Sequence, residues 1–118
     1  AISGQTGQLT ATHITGLGMS DSIEYSGIED LVINLGDSAD TFNVESTSIE
    51  TDVNSFAGND TLSVSSDSAI LSGDLAGINA VLNLDAGEGE NELNISDIAD
   101  NKANNGRVTF SQLTGYRP

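Results

Sequence analysis

Three aspartates recur at the head of one short phrase. Asp21-Ser22-Ile23-Glu24-Tyr25, Asp40-Thr41-Phe42-Asn43-Val44 and Asp60-Thr61-Leu62-Ser63-Val64 each run acid, polar, apolar, polar, apolar. Asn91-Glu92-Leu93-Asn94-Ile95 repeats the phrase with an amide at its head. Carboxylates beside turn carbonyls are hard oxygen ligands, the set a divalent cation such as Ca2+ takes. Stacked at the strand spacing of about 4.8 Å, two such carboxylates repel by roughly 3 to 4 kcal/mol at an effective dielectric near 20. A bound cation would turn that repulsion into attraction. The candidate metal ligands are Asp21, Asp37, Asp40, Asn59, Asp60, Asp85, Glu88, Glu90 and Asn91. The competing reading makes the same residues turn caps, solvated and screened.

The elements that would position them follow from the spacing. A glycine stands before each phrase (Gly18, Gly36, Gly58 and Gly89), and the phrases begin 19, 20 and 31 residues apart. Strict alternation is the mark of a strand with one buried face. It turns Ile23/Tyr25, Phe42/Val44, Leu62/Val64 and Leu93/Ile95 inward. Glycine and Asx ahead of each strand suit a tight turn. A second strand precedes most of the turns: Leu31, Ile33 and Leu35 mark one, Val53 a weaker one, and Ala80, Leu82 and Leu84 a third. The segment from Ser65 to Ile78 reads as an outward loop within the longest step. A strand, a turn and a strand every 20 residues or so predicts an all-β fold, a parallel β-solenoid of the β-helix or β-roll kind with roughly five coils, stacking end to end.

Composition narrows the function. The chain has 118 residues, 18 Asp and Glu against 3 Lys and Arg, and a formal net charge of -15. The bases are Lys102, Arg107 and Arg117. Nucleic-acid binding is excluded, because phosphate recognition needs clustered cations. No apolar run approaches the roughly 20 residues of a membrane helix, so membrane insertion is not expected. Cysteine is absent, which removes a disulfide framework. His13 is the only histidine and has no second His nearby. No nucleophile–base–acid constellation stands out around it, and no Trp and few other aromatics are present to line a carbohydrate cleft. The chain is not expected to be an enzyme. Two glycan acceptor phrases, Asn59-Asp60-Thr61 and Asn94-Ile95-Ser96, occur at the frequency chance allows in so Asn- and Ser-rich a sequence.

Ala86-Gly87-Glu88-Gly89-Glu90-Asn91-Glu92-Leu93 resembles the calcium-binding nonapeptide of RTX, or haemolysin-type, repeats. Gly36-Asp37-Ser38-Ala39-Asp40-Thr41-Phe42 is a degenerate copy, and Gly58-Asn59-Asp60-Thr61-Leu62 a shortened one. The wider phrases Thr15-Gly16-Leu17-Gly18, Gly27-Ile28-Glu29-Asp30-Leu31 and Leu35-Gly36-Asp37 look like the repeats of very large, adhesin-like bacterial surface proteins. The resemblance implies structural Ca2+ in the turns and an extracellular or cell-surface location.

A longer repeat joins the two ends. Gly7-Gln8-Leu9-Thr10-Ala11-Thr12-His13-Ile14-Thr15-Gly16-Leu17 lines up with Gly106-Arg107-Val108-Thr109-Phe110-Ser111-Gln112-Leu113-Thr114-Gly115-Tyr116 at an offset of 99 residues. Residues 1–118 then read as one unit, a 99-residue period plus an overlap. Coil ends expose unpaired backbone and accept further strands, and a head-to-tail contact that does not close grows a filament. The sequence therefore predicts a structural extracellular protein whose partner is itself, in a filament or surface stalk. The expected junction residues are Leu9, Ala11, Ile14, Val108, Phe110 and Leu113. The alternative is a ligand-binding or spacer module of a large bacterial surface adhesin.

Overall fold

Segments with two or three alternating apolar residues can form only short strands, and nine of them are present in the computed structural model, which describes residues 4–68 and 70–102. They are β1 Thr6–Leu9, β2 His13–Gly16, β3 Ile23–Glu24, β4 Asp30–Asn34, β5 Thr41–Val44, β6 Glu50–Asn54, β7 Thr61–Val64, β8 Leu82–Asp85 and β9 Glu92–Ile95. No helix occurs among the described residues. The strands form a six-stranded sheet in the order β3-β2-β1-β5-β7-β9 and a three-stranded sheet in the order β4-β6-β8. From β4 onward the chain alternates between the two sheets. The segments leading from the small sheet to the large one, 35–40, 55–60 and 86–91, are equally long.

Register brings like residues into rows. Phe42, Leu62 and Leu93 are partners across β5, β7 and β9, as are Val44, Val64 and Ile95. Gly7 and Leu9 of β1 extend these rows. In the small sheet, Ile33, Val53 and Leu84 align. These inward rows meet between the sheets in a core of Leu9, Ile14, Ile33, Leu35, Phe42, Val44, Val53, Leu62 and Val64. Gly7 leaves room where a side chain would collide with Leu17 and Phe42. Outward positions carry polar ladders: Asn54 Nδ2 donates to Asn34 Oδ1 at 3.0 Å, and Asn83 Nδ2 to Asp52 Oδ1 at 2.7 Å.

The expectation of a parallel β-solenoid of roughly five coils is overturned. The large sheet is mixed: β1 pairs with β2, and β2 with β3, antiparallel. Its parallel part holds four strands and the small sheet three. The cause lies in residues 10–13. Thr10 Oγ1 accepts from the backbone N–H of His13 at 3.0 Å and of Thr12 at 3.4 Å, closing a tight hairpin that reverses the chain. The alternation in Ser22–Tyr25 is real, but a period of two does not distinguish parallel from antiparallel pairing. Ile23 accordingly pairs with Ile14 and stays half exposed, instead of joining the row of Phe42 and Leu62.

Candidate functional site

Two features gather residues that sequence reasoning singled out: a column of Asx side chains at the turns, and one end of the sheet pair.

The column is made of bonds from backbone N–H groups to Asx side-chain oxygens between layers. The N–H of Gln5 donates to Asp40 Oδ1 at 2.8 Å, that of Asp40 to Asp60 Oδ1 at 2.8 Å, and that of Asp60 to Asn91 Oδ1 at 2.9 Å. Each Asx therefore caps the layer before it. The turns feeding it are stacked copies: Phe56 and Gly87 share φ values of 64° and 67°, and Gly58 and Gly89 share 117° and 111°. A Cβ on Gly58 would stand 2.6 Å from the Ser38 carbonyl oxygen, so only glycine permits this spacing. Asp40 and Asp60 are 2% and 1% exposed, and the Oδ2 of each is buried without a hydrogen-bond partner. Asn91 differs: its Nδ2 donates to the carbonyls of Ala86 at 3.1 Å and Gly87 at 3.4 Å.

The other proposed metal ligands do not converge on this pair. Asp21 sits apart, exposed, with its Oδ1 on the N–H of Ser22; the place it was expected to take above Asp40 belongs to Gln5. Asn59 Oδ1 accepts from Glu90 N–H at 2.9 Å, and Asp85 Oδ1 from Gly87 N–H at 3.0 Å. Asp37 and Glu88 line a shallow cleft of about 410 Å³ with Phe56, Ala57 and Gly87, and Glu90 is exposed. Among the described residues, no group of three or more His, Asp or Glu side chains is placed to hold a metal ion. His13 has Nδ1 2.7 Å from Thr12 Oγ1 and Nε2 3.9 Å from Glu24.

The second feature is an open apolar end. Burial falls along each row: Phe42 is fully buried, Leu62 nearly so, and Leu93 is 54% exposed; Val44, Val64 and Ile95 follow the same course to 60%. Val64, Leu75, Ile78, Leu82, Leu84, Leu93 and Ile95 line a trough of about 530 Å³ between β8 and β9. Both strands are the last of their sheets, so their outer edges are unpaired among the described residues. At the opposite end, Leu17, Met19 and Tyr25 pack against the core beside the β1–β2–β3 meander.

Sequence reasoning missed the trough, although its signal was present: the last inward pair of each sheet has no following pair to cover it. Three of the six expected junction residues lie among the described residues. Leu9 and Ile14 are register partners inside this chain's own core. Ala11, at the tip of the hairpin, donates its N–H to Ser46 Oγ at 2.7 Å. Val108, Phe110 and Leu113 lie outside the described residues. No helix of the described residues is long and apolar enough to cross a membrane. Comparison with protein-family models, with curated proteins and with solved structures finds no match to this chain.

Proposed function

We propose that the chain is a structural unit that joins its neighbours end to end, as a link in a filament or surface stalk. The observation that carries this reading is the open end. Among the described residues, two strands stop with unpaired edges above a trough lined mainly by leucine and isoleucine side chains, and such an edge is a template for further strand pairing. The repeat of residues 7–17 in 106–116 supplies the reason to expect a neighbour of the same kind. The likeness of the turn phrases to repeats of large bacterial surface proteins is the ground for placing the unit outside the cell.

Light scattering and negative-stain microscopy of the purified full chain test the reading. Unbranched assemblies that lengthen with concentration are expected, and monomers at every concentration overturn it. A spacer module of a larger surface protein is the second reading. The antiparallel meander favours it, since β2 and β3 end the parallel ladder on one side.

A further inference from the structure

We propose that the turn flank carries a binding site for an arginine side chain of a partner protein, with the Phe56 ring as its platform and Asp37, Asp85 and Glu88 as its charged rim. The site is separate from the trough, and no residue lines both. It is present whether or not the units join end to end.

Packing does not account for the ring. Counted back from Asp40, Asp60 and Asn91, the fourth residue is Gly36, Phe56 and Gly87 in three successive turns. All three have positive φ, at 123°, 64° and 67°. Phe56 is thus a side chain set between two glycines, in a backbone conformation that suits glycine best. It lies outside the core and is 48% exposed. The glycines of the turns before and after it put no side chain over the ring. Gly87 has to be bare, because a Cβ there would run into the Phe56 carbonyl oxygen. What remains is open space on two sides. Phe56 lines a cleft of about 410 Å³ with Asp37 and Glu88, and a second of about 180 Å³ with Asn54 and Asp85.

Charge names the occupant. Asp37, Asp85 and Glu88 are exposed, and none of them forms an ion pair among the described residues. No Lys or Arg precedes Lys102 in the chain, so the turn flank supplies no base of its own. A cation over an aromatic face is attracted by the ring's quadrupole, and arginine is found there more often than lysine. A guanidinium also has the right shape: its plane stacks on the ring while its fork of N–H groups reaches carboxylates at the edge. An ammonium is a compact, strongly hydrated point charge and gains less from the ring.

Titration of the full, isotope-labelled chain with the blocked tripeptides Gly-Arg-Gly and Gly-Lys-Gly, followed by amide chemical shifts, tests the site. The shifts are expected to cluster at Phe56, Ala57, Gly87 and Glu88, with the arginine peptide bound at least twofold tighter. Phe56→Gly keeps every charge and relieves the left-handed backbone, so the fold should be no less stable. It should weaken arginine binding about two- to fivefold, the range of an exposed cation–π contact. Asp37→Asn with Glu88→Gln keeps the ring; it should weaken binding and flatten its salt dependence. Asp21→Asn with Glu29→Gln makes the same change in net charge away from the ring and should leave the affinity unaltered. Should the Asp37 and Glu88 variant fail to fold, Phe56→Gly decides alone. Shifts spread over the whole acidic surface, or arginine binding that survives Phe56→Gly, overturn the proposal and leave only general attraction to net charge. A lysine peptide bound as tightly as the arginine peptide overturns it too.

Discussion

The backbone N–H of Asp40 donates to Oδ1 of Asp60 at 2.8 Å, and both residues are buried. The same bond recurs between Asp60 and Asn91, where the acceptor belongs to an amide. Asn91 uses its second polar atom as a donor to turn carbonyls, while the Oδ2 atoms of Asp40 and Asp60 have no partner.

Asp60→Asn is therefore expected to stabilise the fold. It keeps the Oδ1 acceptor and places a donor where Oδ2 now stands alone, the arrangement Asn91 has at the equivalent position of the next turn. A satisfied buried group differs from an orphaned one by ~1–3 kcal/mol. Asp60→Ala removes the acceptor from Asp40 N–H and should lose stability by a similar amount. Urea unfolding of the two variants checks the opposite signs.

Phe56 holds a left-handed backbone, φ 64°, at the position Gly87 occupies in the next turn, and its side chain is half exposed. A left-handed conformation costs a side-chain-bearing residue ~1–2 kcal/mol. Phe56→Gly should raise the unfolding midpoint slightly. Gly87→Val should lower it, because its Cβ would run into the Phe56 carbonyl oxygen. Calorimetry on the pair measures both.

Truncation of the core should follow the burial gradient. Phe42→Ala empties a fully buried site, where such changes cost ~3–5 kcal/mol. Val32→Ala and Val81→Ala, on exposed positions of the small sheet and its margin, should stay within ~0.5 kcal/mol. Equilibrium unfolding in denaturant compares them.

Burial holds the Tyr25 phenol above its usual 10.0, and its O–H donates to the Thr10 carbonyl at 2.6 Å. The folded state thus favours the neutral phenol. Its contribution to stability is complete below the unfolded value and is lost as pH rises through the folded one. Absorbance titration should show Tyr25 ionising later than a free tyrosine. Tyr25→Phe should flatten the alkaline decline of the unfolding midpoint.

Much of this fold could be read from alternation. Phe42/Val44, Leu62/Val64 and Leu31/Ile33 lie on strands facing the core, as their spacing implies, and all-β content follows from them. The direction of the first strands was not legible, because it depends on one hydroxyl, Thr10 Oγ1, binding two amides in a tight hairpin. The Asx column was half legible. The spacing of Asp40, Asp60 and Asn91 put them in register, but it also admitted Asp21, which the hairpin carries away. That the aspartates cap backbone amides, with one oxygen left over, depends on a layer-to-layer offset that periodicity does not specify.

The turns at 35–40, 55–60 and 86–91 are equal in length, whereas the connections on the opposite side run from 45–49 to 65–81. The first set is locked by the bonds from backbone amides to Asp and Asn side chains between layers, so an inserted residue there would break the column at every level it touches. The second set already absorbs a dozen extra residues with the strands after it still in register, β6 on β8 and β7 on β9. Sequence change in this molecule is thereby channelled to one flank. Within the 65–81 connection, Leu75 and Ile78 pack against the core, whereas Ile70 stands exposed; the stretch around Ile70 is the place where a foreign peptide could be grafted, displayed or diversified without disturbing the scaffold that presents it.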